Sequence, residues 1–342
     1  MSTDRPLSLQ SANVPNTLQL ACRAEHLVTL TDLADLPALQ ALAESLRPVR
    51  VVGQASNLVL PNILGGLVIR MALQGVHLVE SRPDAWVIEV AAGENWHQWV
   101  VQSLESGWPG LENLALIPGT VGASPIQNIG AYGLEVSERI EAVRVWDFSL
   151  GVERWLSRED CRFGYRDSLF KHPDGASLMV LAVRFLLPRP WRPVLGYADL
   201  QDLQAQARQA PCAVSAWDVF HRVVAVRQAK LPDPAARPNV GSFFKNPVVS
   251  AQHAQALQQS HPGLVTYAQA DGRFKLAAGW LIDHCQWKGR SLGRASVHDR
   301  QALVLINDGG ATAQDVLALA QQIAADVTQQ FGVQLEIEPG CW

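Results

Sequence analysis

Two glycine-rich stretches hold the residues best placed to do chemistry. Residues 110–133 (GLENLALIPGTVGASPIQNIGAYG) set a glycine every few positions among two prolines, small Ala and Ser side chains and one tyrosine. Gly and Pro are too costly inside a helix or a central strand for this to be either. Such backbone can approach a ligand closely, with N–H groups aimed at anionic or carbonyl oxygens. The apolar residues threaded through it (Leu114, Leu116, Ile117, Val121, Ile126, Ile129) demand burial, so the loop is expected inside a site. Gly53-Gln-Ala-Ser-Asn57 is shorter. It reads as a phosphate cradle or as a plain connecting turn between two strands.

Composition narrows the chemistry. The chain has 342 residues, is 48% hydrophobic and carries a formal charge of -4, enough for two or three domains and no electrostatic case for nucleic acid or an anionic membrane. Cys22, Cys161, Cys212, Cys285 and Cys341 are scattered without a CxxC pair, which favours reduced thiols over disulfides or zinc. The nine histidines show no ligand spacing, so no metal is expected. No G-x-G triplet, Gly-Lys pair, HExxH or GxSxG occurs, which removes the usual dinucleotide fingerprint, the P-loop and two hydrolase motifs. The N-terminus lacks a basic and apolar leader, and no apolar run reaches membrane length, so a cytosolic globular protein is expected.

The elements that must position these loops follow from periodicity. Residues 33–46 read as a helix stopped by Pro48, residues 48–52 and 58–60 as strands, and a second glycine pair, Gly65-Gly66, precedes a strand at 67–70. Residues 86–90 form a strand and 95–106 a helix whose Trp96 and Trp99 face the core. Residues 140–148 and 153–156 pair as strands, and the apolar run at 178–187 is a buried strand. A proline- and tryptophan-rich loop at 188–200 precedes a helix at 215–230 that opens on Ser215 and Asp218. Residues 231–234 mark a domain boundary. Helices at 250–259 and 277–285, a strand at 302–306, and a helix capped by Thr312, Asp315 and Gly332 follow. Residues 333–338 alternate as a strand that leaves Glu336 and Glu338 solvated.

Taken together, several segments resemble the UDP-N-acetylenolpyruvoylglucosamine reductase family in family order from about residue 14 to the end. They are the turn with Ser56-Asn57, AGENWH at 92–97, the whole central loop and CRFGYRDS at 161–168. KLPDP at 230–234, GSFFKNP at 241–247, KLAAGWLID at 275–283 and QALVLIN at 301–307 continue the match. The resemblance implies an α+β chain with an FAD-binding fold of the vanillyl-alcohol-oxidase type. Its two α+β subdomains are expected at 1–73 and 74–226, with residues 333–342 returning to the second, and a substrate-binding domain at 227–332. It also implies a cytoplasmic monomer of the longer subtype, acting in peptidoglycan precursor synthesis.

By motif position, Gly53, Ala55, Ser56 and Asn57 match the first FAD loop; Gly119, Gly122, Ala123, Ser124, Ile126, Ile129 and Gly130 match the second. The implied chemistry passes hydride from NADPH through non-covalent FAD to the vinyl carbon of UDP-N-acetylglucosamine enolpyruvate. Ser242 matches the proton donor, otherwise a turn serine. Arg166 and Glu338 match the residues that polarise the substrate carboxylate and stabilise the enolate. Glu338 must be protonated to help an anion, which requires a buried setting and conflicts with the solvated reading. Lys230, Asn246, Tyr132, Tyr165, Lys288 and Gln301 match substrate contacts, and Tyr197 the tyrosine of a mobile loop. The chain departs from the family where Ala55 replaces a usual glycine and at Asn16-Thr-Leu-Gln19. A flavin oxidase with FAD attached through His97, and a non-catalytic FAD or UDP-sugar binder, are the competing readings.

Overall fold

In the computed structural model, residues 7–210 and 213–342 are described; Cys212 and the start of the N-terminal stretch read for a leader lie outside them. The chain forms two compact units. The first holds the described residues up to Ala12, Ala24–Gln54 and Gly65–Ala229; the second holds Asn13–Arg23, Ala55–Leu64 and Lys230–Trp342.

The first unit contains two sheets. One runs in the order Gln10–Asn13, Arg23–Leu30, Ile63–Met71, Val49–Val52, the last two parallel with Val49 opposite Leu67. The helix Leu36–Ser45 buries Leu36, Leu39 and Ala43. The other sheet is antiparallel, in the order Val152–Ser157, Ile140–Asp147, Leu178–Pro188, Ala85–Ala91, Val76–Ser81. Leu178–Pro188 lies at its centre and is buried at most positions, as its unbroken apolar run requires. The helix Trp96–Glu105 starts where Asn95 accepts the Gln98 N–H. Its Trp96 and Trp99 are buried against Phe185, so both are core residues. The Trp96 indole also donates to Leu114 O at 2.8 Å, which ties the central loop to this helix.

The second unit is built on a four-stranded sheet, Asn239–Ser242, Val304–Asn307, Ala295–Val297, Ser291–Leu292. A smaller sheet orders Val248–Val249, Phe274–Leu276 and Thr266–Ala268. The helix Ala313–Phe331 has the expected capping box of Thr312 and Asp315, and Gly332 ends it at φ 64°. Val316, Leu319, Ile323 and Val327 form its buried stripe.

Several expectations are corrected. Gly65-Gly66 lies inside the strand Ile63–Met71, not before it; Gly66 sits at φ 74°, and a Cβ there would meet Pro48 O at 2.2 Å, so both backbone and space call for glycine. The helix Gln201–Gln209 was not anticipated, since only Leu203 of its residues is buried and no apolar stripe announces it. Residues 333–338 are not a regular strand. Only Ile337 bridges, to Phe244, because the facing residues 243–245 offer a short irregular edge. The chain then continues into Gly340–Cys341, parallel to Leu58–Val59 in the second unit, so residues 333–342 do not return to residues 74–226.

Asn307 shows how the second unit holds its N-terminal segment. Its amide donates to Leu18 O at 2.8 Å, and its Oδ1 accepts from the N–H groups of Gly309 and Ala311 at 2.8 and 3.0 Å, all at 5% side-chain exposure. Asn307→Ala leaves these groups buried without a partner. It should lower unfolding free energy by about 2 kcal/mol in a urea titration.

Candidate active site

In the first unit the two glycine-rich stretches meet. The Gly119 N–H donates to Gln54 Oε1 at 3.1 Å. A Cβ on Gly53 would sit 2.5 Å from Thr120 Oγ1, and one on Gly122 would sit 2.5 Å from Ala92 Cβ. These glycines therefore admit other parts of the protein, where the sequence suggested room for a ligand. The same correction applies to the backbone donors. Gly122, Ala123, Ser124, Ile126 and Ile129 donate to the carbonyls of Ala92, Thr120, Val121, Ala123 and Ser124. A buried loop must find acceptors for its N–H groups, and this one finds them partly in its own carbonyls and partly in Ala92, Glu94, Gln54 and His97.

Side chains then fasten the loop to its surroundings. Asn128 donates to Glu135 Oε2 and to Gly164 O at 2.8 and 2.9 Å, and accepts from Ser137 N–H at 3.0 Å. Ser168 Oγ donates to Ile126 O. Gly164 and Asp167 bridge a tight turn that carries Tyr165 and Arg166, with Arg166 at φ 53°. Arg166 donates to Gly130 O at 2.7 Å, so it is seated on the loop itself. Tyr132, at φ 48°, packs edge-on against Tyr197 with ring centroids 5.2 Å apart. Burial pushes the Tyr132 phenol up to about 12, with Asp199 and Tyr197 adding to the rise and Arg227 opposing it. The structure thus brings Arg166, Gly130, Tyr132 and Tyr197 into one region, with Gly119 and Gly122 on the same loop.

The sequence reading missed Arg227, which a helical stripe gives no reason to single out. Burial holds its guanidinium below the usual arginine range, the like charge of Arg166 adds to this, and Tyr132 opposes it. Its Nε is enclosed and makes no hydrogen bond. Glu112 and Asn113, both buried, were also missed, although two polar residues in an otherwise apolar run were a visible signal. His97 accepts the Leu116 N–H on Nδ1 at 3.0 Å and stacks on Phe220 at 5.7 Å. Burial, with help from Arg227, lowers its pKa below the ordinary histidine value.

In the second unit, Ser242 ends the strand Asn239–Ser242 after a register shift, with Gly241 at φ 73° just before it. Glu338 N–H donates to the carbonyl of Phe243 at 2.9 Å, so the chain carrying Glu338 runs beside Ser242. Glu338 is half-buried, between the solvated and the buried expectation. Glu336 is exposed and pairs with Lys245. Asn246 Oδ1 accepts the Ala278 N–H at 2.9 Å and so helps to start the helix Ala278–His284. Lys288 pairs with Asp283 at 2.7 Å, Gln301 N–H donates to His298 Nδ1 at 3.2 Å, and Lys230 is exposed at its helix end. Ala55, Ser56 and Asn57 belong to this unit. Ala55 is buried at φ 47°, and Asn57 O accepts the Gly340 N–H.

Among the described residues no group of His, Cys, Asp or Glu is arranged to hold a metal ion, and no helix is long and apolar enough to cross a membrane. The residues fit an anionic, partly apolar cofactor. Arg227 keeps a buried N–H without an acceptor beside a second arginine and a tyrosine, while Ile126, Ile129 and Ala123 supply apolar surface.

Residues 24–157 match the model of an FAD binding domain, and residues 233–342 that of the UDP-N-acetylenolpyruvoylglucosamine reductase C-terminal domain. The UDP-N-acetylenolpyruvoylglucosamine reductase of Bordetella pertussis is 55% identical over 338 residues, 98% of this chain and 95% of that one. That of Paraburkholderia xenovorans is 50% identical over 323 residues, 94% and 92% of the two chains. The crystal structure of UDP-N-acetylenolpyruvylglucosamine reductase from Thermus caldophilus has a TM-score of 0.66 at 26% identity, covering 98% of this chain and all of that one. Fold and domains define an FAD-dependent oxidoreductase of α+β class. The chain belongs to the UDP-N-acetylenolpyruvoylglucosamine reductase family.

Two expectations follow from the geometry. Ala55→Gly relieves the left-handed backbone and should retain FAD. Ala55→Val places a β-branched side chain at φ 47° and should cost about 1–2 kcal/mol, with a lower flavin-to-protein absorbance ratio after purification. His97 in the folded state resists the proton that an unfolded histidine takes up at about pH 6.5. Its contribution is therefore full above that pH and is lost as pH falls from there towards the lower folded value. The stability gap between the wild type and His97→Ala, followed by thermal melts, should shrink across that window.

Proposed function

We propose that this protein reduces UDP-N-acetylglucosamine enolpyruvate to UDP-N-acetylmuramate with NADPH, as a step in making peptidoglycan precursors. The observation that carries the reading is the lateral run of the Glu338 segment along Phe243, which puts a carboxyl group and the Ser242 hydroxyl on neighbouring backbone. When bound, FAD would supply the hydride-transfer chemistry between NADPH and the enolpyruvyl ether. Gly53, Ala55, Ser56 and Asn57 on one stretch, and residues 119–130 on the other, hold that cofactor in this reading.

The chain's own residues then handle charge and proton. Ser242 holds the proton destined for the carbon next to the one that gains hydride. A hydroxyl is a weak acid, so Ser242 acts only against a carbon on which negative charge is developing. Arg166, pinned at Gly130 O, presents a guanidinium fork to the substrate carboxylate as that charge grows. Glu338 shares the task from beside Ser242. Tyr132, Tyr165, Tyr197, Lys230, Asn246, Lys288 and Gln301 contact the UDP-sugar, the lysines as charges for phosphate. The reading carries with it a cytoplasmic, monomeric protein and a first unit divided near residue 73 into two flavin-binding subdomains, one on each sheet.

Ser242→Ala separates the two half-reactions. Bleaching of the flavin by NADPH should survive, while reoxidation by the enolpyruvyl ether slows by roughly 10²–10⁴-fold in anaerobic stopped flow. Equal loss in both halves would sink the assignment.

A further inference from the structure

Residues 188–200 carry Tyr197 on a stretch that the resemblance marks as mobile, yet most of that stretch is tied down. Asn113, at 0% exposure, donates one amide hydrogen to Tyr132 O and the other to Val194 O, both at 2.9 Å. Flipping the amide would turn its oxygen towards two carbonyls, so this orientation is the only one that bonds. Its Oδ1 is buried without a partner, so the two N–H donors make all of this side chain's hydrogen bonds. Beside it, the buried Glu112 carboxylate accepts the Trp191 indole N–H on one oxygen and the Gly110 N–H on the other, each at 2.7 Å.

The base of the segment is therefore held at Trp191 and Val194 by two adjacent residues of the central loop. Leu195 and Leu200 are buried at 7% and 0% exposure, while Gly196, Tyr197 and Ala198 between them are exposed. A Cβ on Gly196 would touch nothing within 4 Å, so space surrounds this point on the chain. We propose that Glu112 and Asn113 are positioning residues that lock residues 191–195 to the Tyr132 loop. Closure over substrate is then confined to a tip of residues 196–199, swinging from Gly196. Tyr197 always starts from contact with Tyr132, and the two rings act as a pair on the same part of the ligand. This rests on the proposed function for the ligand's identity, but not for the latch itself.

Asn113→Ala and Trp191→Phe cut the two ties independently, and the tryptophan variant leaves Glu112 its bond to Gly110. Hydrogen exchange of the purified flavoprotein should quicken at residues 191–195 in each variant and stay unchanged in the sheet at 178–187. KM for UDP-N-acetylglucosamine enolpyruvate should rise about tenfold, the scale of one lost buried bond. The rate of flavin bleaching by NADPH and the FAD content should stay within about twofold, as expected of uniform binding lost on one substrate. Unchanged exchange at 191–195 in a folded variant overturns the latch. Equal loss in both half-reactions, or an unchanged KM with quickened exchange, overturns the positioning role. A wild-type enzyme that reduces its flavin but never turns over the enolpyruvyl ether defeats the proposed function instead, and the exchange result still decides the latch.

Discussion

The site depends on one constraint: an irregular segment buried in protein must find a partner for nearly every backbone N–H and C=O it carries. A regular element does this with its own ladder; residues 110–133 cannot. Side chains from outside the segment stand in. Gln54 takes Gly119 N–H, His97 takes Leu116 N–H, Trp96 covers Leu114 O, and Arg166 covers Gly130 O. From within it, Asn113 and Asn128 reach out to Val194 and Gly164. Each bond contributes about 1 kcal/mol net, but an orphaned partner costs more than that, so the set is held together by the penalty for breaking it.

That over-determination explains how strain persists. Ala55, Leu116, Asn128, Tyr132 and Arg166 all hold positive φ without being glycine. Each such residue costs roughly 1–2 kcal/mol, and a loose loop would relax. Here the Leu116 N–H is fixed by His97, Asn128 by three hydrogen bonds, and Arg166 by the bridge across its turn. Three of the five are residues proposed to meet cofactor or substrate. Strain of this kind clusters where side chains must point in directions an ordinary strand or helix does not offer.

Much of this was legible in the sequence, and the boundary of legibility is physical. Period and caps announced the helices Trp96–Glu105 and Ala313–Phe331, and an unbroken apolar run announced the strand Leu178–Pro188. Glycine content marked the loops but not what fills the space beside each glycine. At Gly53 and Gly122 the occupant is Thr120 or Ala92, residues distant or unremarkable in sequence. Alternation at residues 333–338 implied a ladder, but alternation says nothing about whether an edge is available to pair with. The polar helix Gln201–Gln209 was silent because it buries almost nothing. Ser242, Arg166 and Glu338 carried no signal of their own. Their spacing gained meaning only through the resemblance.

The electrostatics of the first unit add a constraint that formal charge conceals. The chain as a whole is acidic at -4, yet Arg166 lies close enough to Arg227 for its charge to oppose that of the Arg227 guanidinium. Burial has already weakened Arg227's hold on its proton, and its Nε lacks an acceptor. No carboxylate is hydrogen-bonded to that Nε, so the protein leaves part of the compensation undone. Bringing in an anionic group relieves the repulsion between the arginines, satisfies the buried donor and eases the desolvation penalty together. An overall negative surface discourages large polyanions, while a small local excess of positive charge still attracts a compact one. Burial also bears on Tyr132: its phenol, pushed up to about 12, is neutral at pH 7 as an ordinary tyrosine is, so it adds no negative charge to offset the two arginines.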